Sequence, residues 1–249
     1  MEKSRFSETY VLTAGESDAN GRIPPTLVVE RMIEAATLHA NALGIGYQRL
    51  LADNLAWVLS RISYSLTRSP RINEEYTLTT WIESWNRLFS NRCFLFRGGD
   101  GEIIGGGHSV WAAIDIEHRT AADLTVLSEI APADDEMVCP TSRPPRLRPI
   151  AADSVGRREE YRFAYTDLDF NRHVNSVRYI ERILNLWPLS RYDREAVTEL
   201  DIAYHHECLF GQLADLLVEQ VDDLTDRVDI ICEGQRAVSA RLSWIPTKK

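Results

Sequence analysis

The sequence predicts an α+β protein made of two successive copies of one unit, each an antiparallel sheet wrapped around a long helix. Three observations carry that expectation: a short motif that recurs, an order of strand and helix signals that recurs with it, and a proline-rich stretch between the copies.

The motif Asp18-Ala19-Asn20-Gly21-Arg22-Ile23 returns as Asp169-Phe170-Asn171-Arg172-His173-Val174, an offset of 169 − 18 = 151 residues. At the same offset Glu30-Arg31-Met32 matches Glu181-Arg182-Ile183. Such a period sets the size of the folding unit. In the first copy, residues 10–13 read as a strand, followed by a polar turn through Asn20-Gly21. Pro24-Pro25 opens a helix expected to reach about Leu43, with proline suited to the first turn and Gly44 to the C-terminal cap. Four strand-like segments follow. Val58, Ile62, Tyr64 and Leu66 share one face of the first, and Tyr76, Leu78, Thr80 and Ile82 alternate along the second. Residues 94–97 and 103–116 flank Gly98-Gly99-Asp100-Gly101, a hairpin signal.

The second copy repeats the series. Residues 161–165 read as a strand, and the 169–175 loop leads into a helix over 176–187. Val177, Ile180, Ile183, Leu184 and Trp187 share its apolar face, and Pro188 ends it. Strands are expected near 200–206, 213–221, 228–232 and 238–245. Strand, helix, then four strands, twice over, is the order of a tandem (double) hotdog. Residues 132–153 contain Pro140, Pro144, Pro145 and Pro149 with three arginines and read as an extended spacer. The expected domains are therefore 1–131, a linker 132–153, and 154–249.

Composition narrows the function classes. With 249 residues, 44 % of them apolar, the chain has material for a packed core. No apolar run approaches the roughly 20 residues that cross a bilayer, and residues 1–9 lack the apolar centre of a signal peptide. The expected address is the cytoplasm. Cys93, Cys139, Cys208 and Cys232 show no paired spacing, so reduced thiols are expected rather than a zinc or redox motif. The net charge of −9 argues against nucleic acid as a partner.

The loop 166–175 gathers a carboxylate, an amide and an imidazole just ahead of a helix. Backbone N–H groups and the helix dipole favour negative charge there, as on a developing oxyanion. On residue type, Asp169 or Glu207 would orient or deprotonate water, while Asn171 and His173 would donate hydrogen bonds. The same residues also serve structural ends, Asp169 and Asn171 as turn formers and Asn175 or Ser176 as a helix cap. His205 and His206 would point to opposite faces of a strand, so with Cys208 they suggest no metal site. Gly105–Gly107 lack the following Lys-Ser/Thr of a phosphate loop and read as a bulge or a close approach to the central helix.

The run from Asp167 to Ile180, with Asp169-Phe170-Asn171-Arg172-His173-Val174-Asn175 at its centre, resembles the active-site motif of plant and bacterial acyl-ACP thioesterases. Tyr204-His205-His206-Glu207-Cys208 resembles that family's second catalytic segment, and Trp57-Val58-Leu59-Ser60-Arg61 and Ser109-Val110-Trp111 resemble signatures of its first half. Ser176 departs from the family, which often has Asn there. The resemblance implies hydrolysis of fatty acyl-acyl carrier protein to free fatty acid, ending chain elongation. It implies Asp169, Asn171, His173 and Glu207 as catalytic: Glu207 activating water, Asp169 and Asn171 orienting groups, His173 polarising the carbonyl or relaying a proton. For Cys208 two schemes stand, a nucleophile paired with histidine or a small buried group beside the site. The first copy has Arg22 in place of His173 and no acid matching Glu207, near Thr67. It is expected to be non-catalytic and is implied to hold the acyl chain, beside Leu27, Met32, Ala35 and Ala36.

No metal, nucleotide or redox cofactor is implied. The implied partner is acyl carrier protein, with neither nucleic acid nor membrane, in a monomer or homodimer. The basic cluster Arg143, Arg146, Arg148, Arg157 and Arg158 reads first as solvated linker arginines, with a docking surface for an acidic carrier as the alternative reading. Rival readings are an acyl-CoA thioesterase, a hotdog hydratase or dehydratase, and a non-catalytic acyl-thioester sensor.

Overall fold

The structure, a computed structural model, describes residues 4–134 and 136–247. It divides into two compact units at Pro144/Pro145.

The first unit contains β1 (Arg5–Val11), α1 (Pro25–Ala42), α2 (Tyr47–Ala52), β2 (Leu55–Leu66), β3 (Glu75–Trp85), β4 (Ser90–Gly98), β5 (Ile103–Asp115) and α3 (Thr125–Ile130). Its strands lie in the order β1-β3-β4-β5-β2, every pair antiparallel. Pro25 occupies the first turn of α1, where its missing N–H costs nothing, and Gly44 follows the helix end at φ +78°, a conformation glycine tolerates. Leu27, Val28, Val29, Met32, Ala35 and Ala36 are buried along α1, each large one contributing about 1.5–3 kcal/mol. A Cβ on Gly107 of β5 would lie 2.4 Å from the Ser63 carbonyl oxygen and 2.7 Å from Met32 Cε. The central helix therefore presses directly on that strand, which explains a glycine there.

The second unit contains β6 (Arg157–Arg162), α4 (Ser176–Leu184), α5 (Leu189–Tyr192), β7 (Glu195–Tyr204), β8 (Leu213–Asp222), β9 (Thr225–Cys232) and β10 (Gln235–Pro246). The order β7-β10-β9-β8-β6 is again antiparallel throughout. Strand, central helix and four strands thus occur in each unit, the α+β tandem hotdog expected.

The structure corrects several boundaries. β1 starts at Arg5 and β6 at Arg157, well before the apolar residues that signalled them. Both are edge strands with polar faces, stabilised by cross-strand pairs such as Ser7–Thr79 and Thr9–Thr77, whose hydroxyls lie 2.8 and 2.9 Å apart. A bulge between Leu59 and Arg61 shifts the phase of β2, so Leu59 is buried while Val58 is not. The central helix of the second unit stops at Leu184 and continues as a turn in which Leu186 N–H donates to Ile183 O. The short helices α2, α3 and α5 were not anticipated.

Residues 132–153 divide between the units. On the first side, Asp134 N–H donates to Ile82 O and its carboxylate pairs with Arg5 at 2.6 Å. On the second, Ile150 N–H donates to the buried Asp229 carboxylate at 2.9 Å. Among the described residues no helix is long and apolar enough to cross a membrane.

Candidate active site

The loop between β6 and α4 is shaped by one carboxylate. Asp169 Oδ1 accepts from Asn171 N–H at 2.8 Å and from His173 N–H at 3.2 Å, while Asp169 N–H donates to His173 O at 2.8 Å. Arg172 completes the turn at φ +67°, strained for a side-chain-bearing residue. Asn175 then caps α4, its Oδ1 accepting from Val177 N–H at 2.9 Å.

A brace beneath the loop fixes its height. Asp167, fully buried, accepts from Tyr161 Oη and Ala164 N–H at 2.9 and 2.7 Å, and its other oxygen lies 3.2 Å from Arg182. The Arg182 guanidinium also covers the Tyr161 ring at 4.5 Å. The segment after β7 is tied to the same helix. Cys208 N–H donates to Tyr179 Oη at 3.1 Å, Val174 N–H donates to Cys208 O at 2.9 Å, and Tyr204 Oη donates to Ser176 O at 3.0 Å.

These ties bring His173 to Glu207: Nδ1 lies 3.3 Å from Oε1, with side chains 28 % and 39 % exposed. Both groups are thus paired yet reachable by substrate and water. A carboxylate only accepts, so a proton shared across this contact sits on Nδ1, which leaves Nε2 as the basic atom when the ring is neutral. Asp169 is half-buried and Asn171 exposed.

Cys208 is fully buried, and burial pushes its thiol above the ordinary cysteine range against the lowering contacts of Tyr179 and Cys232. A shielded, protonated thiol is a poor nucleophile. β7 ends at Tyr204, so His205 and His206 do not alternate across a strand as expected. Their N–H groups both donate to Ala237 O, at 2.8 and 3.3 Å.

Of the basic cluster, Arg143 pairs with Glu83 at 2.9 Å and Arg158 with Asp215 at 2.7 Å. Arg157 lies 3.5 Å from Glu159 and covers the Trp187 ring at 5.8 Å. Three of the five arginines proposed for docking thus already face a carboxylate within their own unit.

Tyr161, Asp167, Arg182, Tyr179 and Tyr204 were not foreseen as site-building residues. One signal was available: at the 151-residue offset Tyr161 and Arg182 match Tyr10 and Arg31, and the Arg31 guanidinium covers the Tyr10 ring at 4.5 Å too.

Comparison with known proteins places the chain in a family. Residues 3–131 match the family model described as acyl-ACP thioesterase N-terminal domain, and residues 150–246 the one described as acyl-ACP thioesterase C-terminal domain. A dodecanoyl-[acyl-carrier-protein] hydrolase of Cinnamomum camphora is 24 % identical over 97 % of this chain and 68 % of its own length. A palmitoyl-acyl carrier protein thioesterase of Arabidopsis thaliana is 24 % identical over 96 % of this chain and 63 % of its own length. Both plant relatives are thus longer than the chain. A crystal structure of an acyl-ACP thioesterase from Bacteroides thetaiotaomicron superposes with a TM-score of 0.89 at 28 % identity, covering 98 % of this chain and all of that one.

Proposed function

This chain belongs to the acyl-ACP thioesterase family, and from that premise we propose that it hydrolyses fatty acyl-acyl carrier protein with the His173–Glu207 pair of its second unit. The observation that carries this reading is the 3.3 Å contact between a histidine and a glutamate that are both open to solvent.

His173 Nε2 takes a proton from water as the water oxygen attacks the thioester carbonyl carbon. Glu207, on Nδ1, fixes the ring and stabilises the imidazolium that forms. The tetrahedral oxyanion collapses, the C–S bond breaks, and His173 returns the proton to the departing pantetheine sulfur. Asp169 holds the backbone of His173 in place, and Asn171 supplies an exposed amide to orient substrate. Cys208 is a buried spacer beneath Glu207, not a nucleophile. The first unit, which lacks the pair, holds the acyl chain.

Thiol release from matched palmitoyl-carrier protein and palmitoyl-CoA tests the reading. Faster turnover of the carrier-bound substrate is expected. Equal or faster turnover of the CoA thioester would make this a general acyl thioesterase, and release from neither, across several chain lengths, would overturn hydrolysis altogether.

A further inference from the structure

Away from the catalytic loop, two thiols and an imidazole converge inside the first unit. Cys93 on β4 and His108 on β5 are directly opposite one another in the ladder, and Cys139 comes from the stretch that follows α3. Their ligating atoms all lie within 4.8 Å of one another. Cys93 Sγ is 3.4 Å from His108 Nδ1. A tetrahedral ion with metal–sulfur and metal–nitrogen bonds of about 2.3 and 2.0–2.1 Å holds sulfur and nitrogen roughly 3.5 Å apart, so the observed edge needs almost no adjustment.

The histidine is already set in the form a metal requires. Its Nε2 lies 2.9 Å from the carbonyl oxygen of Thr141. A carbonyl only accepts, so Nε2 carries the proton and the Nδ1 lone pair faces the sulfurs. Metal-bound histidines are commonly oriented by a backbone carbonyl in this way. The shell is dry. Cys93 is fully buried and His108 nearly so, and Trp81, Leu95 and Met137 pack around them. Two thiolates and an imidazole suit a thiophilic ion and exclude a hard oxygen-seeking one such as Mg2+ or Ca2+.

We propose that Cys93, His108 and Cys139 bind a thiophilic divalent ion of the zinc class, and that the ion fastens the segment around Cys139 to β4 and β5. Binding releases the two thiol protons to solvent and changes no oxidation state. The site is separate from the His173–Glu207 chemistry and does not depend on the proposed function.

The test uses the full chain, reduced, stripped with a chelator and titrated with Co2+ without oxygen. One cobalt per chain is expected, with intense thiolate-to-cobalt charge-transfer absorption that Zn2+ abolishes. Zn2+ is also expected to protect Cys139 from alkylation. Cys139→Ser and His108→Asn are expected to weaken cobalt binding on the order of tenfold or more, since even outer-shell changes cost that much. Cys139 is only half-buried, so its variant remains testable if changes at Cys93 unfold the protein. Absence of the charge-transfer band, binding unchanged in Cys139→Ser, or isolation of a Cys93–Cys139 disulfide that takes up no metal after reduction would each overturn the proposal.

Discussion

The loops at Asp18–Ile23 and Asp169–Val174 share their hydrogen bonds but not their chemistry. Asp18 Oδ1 accepts from Asn20 and Arg22 N–H at 2.8 and 2.9 Å, as Asp169 Oδ1 does from Asn171 and His173. Gly21 and Arg172 are both left-handed, at φ +71° and +67°. Ile23 N–H donates to Pro70 O as Val174 N–H donates to Cys208 O. That match aligns Pro70 with Cys208 and Ser69 with Glu207, two residues beyond the expected Thr67, and leaves Arg22 opposite His173. The comparison separates two jobs that the motif merges. The aspartate and its turn occur in both units; the histidine and the glutamate stand at these positions only in the second.

The largest expected effect breaks the difference itself. His173→Ala and Glu207→Ala are each expected to lower kcat by about 10²–10⁴-fold, the range of a lost general base, with unchanged thermal midpoints. The matching changes Arg22→Ala and Ser69→Ala are expected to leave kcat within about twofold, so a comparable loss there would erase the distinction between the units.

The brace offers a second contrast. Arg182 faces the fully buried Asp167, whereas Arg31 faces Glu16, whose side chain is 33 % exposed. Removing one partner of a buried pair strands the other charge, so Arg182→Ala is expected to cost about 3–5 kcal/mol. Arg31→Ala is expected to cost about 1 kcal/mol, because water and salt screen its partner. Urea unfolding of the two variants decides, and similar losses would show that the braces are energetically equivalent.

A third contrast is pH-dependent. Aligned as above, Asp201 stands where the first unit has Ser63. Burial raises the Asp201 carboxyl from 3.8 to about 6, a shift that Arg241 only partly opposes. The folded state therefore holds that proton more tightly than the unfolded chain. Its contribution is fully present below about pH 4 and is lost as pH rises through 6, amounting to about 3 kcal/mol. Asp201→Asn is expected to flatten the stability profile between pH 4 and 6 and to raise stability at pH 7, while Ser63→Ala leaves the slope alone. An unchanged slope in Asp201→Asn would contradict the assignment.

The smallest effect concerns the shared aspartate. Asp169→Asn keeps the Oδ1 acceptor and so is expected to keep the turn, with kcat reduced by about tenfold or less. Asp169→Ala leaves two loop amides unsatisfied, at about 1–3 kcal/mol of stability. A loss from Asp169→Asn as deep as that from His173→Ala would make Asp169 a catalytic group instead of a scaffold residue.

Much of this was readable from sequence where one period dominated. The helix α1, the alternating β3 and the hairpin at Gly98–Gly101 follow local rules, and the 151-residue repeat disclosed two units and the loop that carries His173. What escaped detection depends on partners distant in sequence. β1 and β6 are polar edge strands whose cross-strand pairs cannot be seen in a single segment. The bulge at Leu59 shifted the pattern on which Val58 was placed. Cys93, His108 and Cys139 are separated by 15 and 31 residues (108 − 93 and 139 − 108), and only the β4–β5 register and the return of the chain after α3 bring them together. The basic cluster was visible as charge, but its carboxylate partners were not.

The most direct test of the central claim is single-turnover hydrolysis of acyl-carrier protein by wild type, His173→Ala, Glu207→Ala and the double variant. If the two residues act as one unit, the double variant is no slower than the worse single variant, because either loss disables the same base. Losses that multiply in the double variant, or a Glu207→Ala enzyme as fast as wild type, would show that the pair is not the source of catalysis.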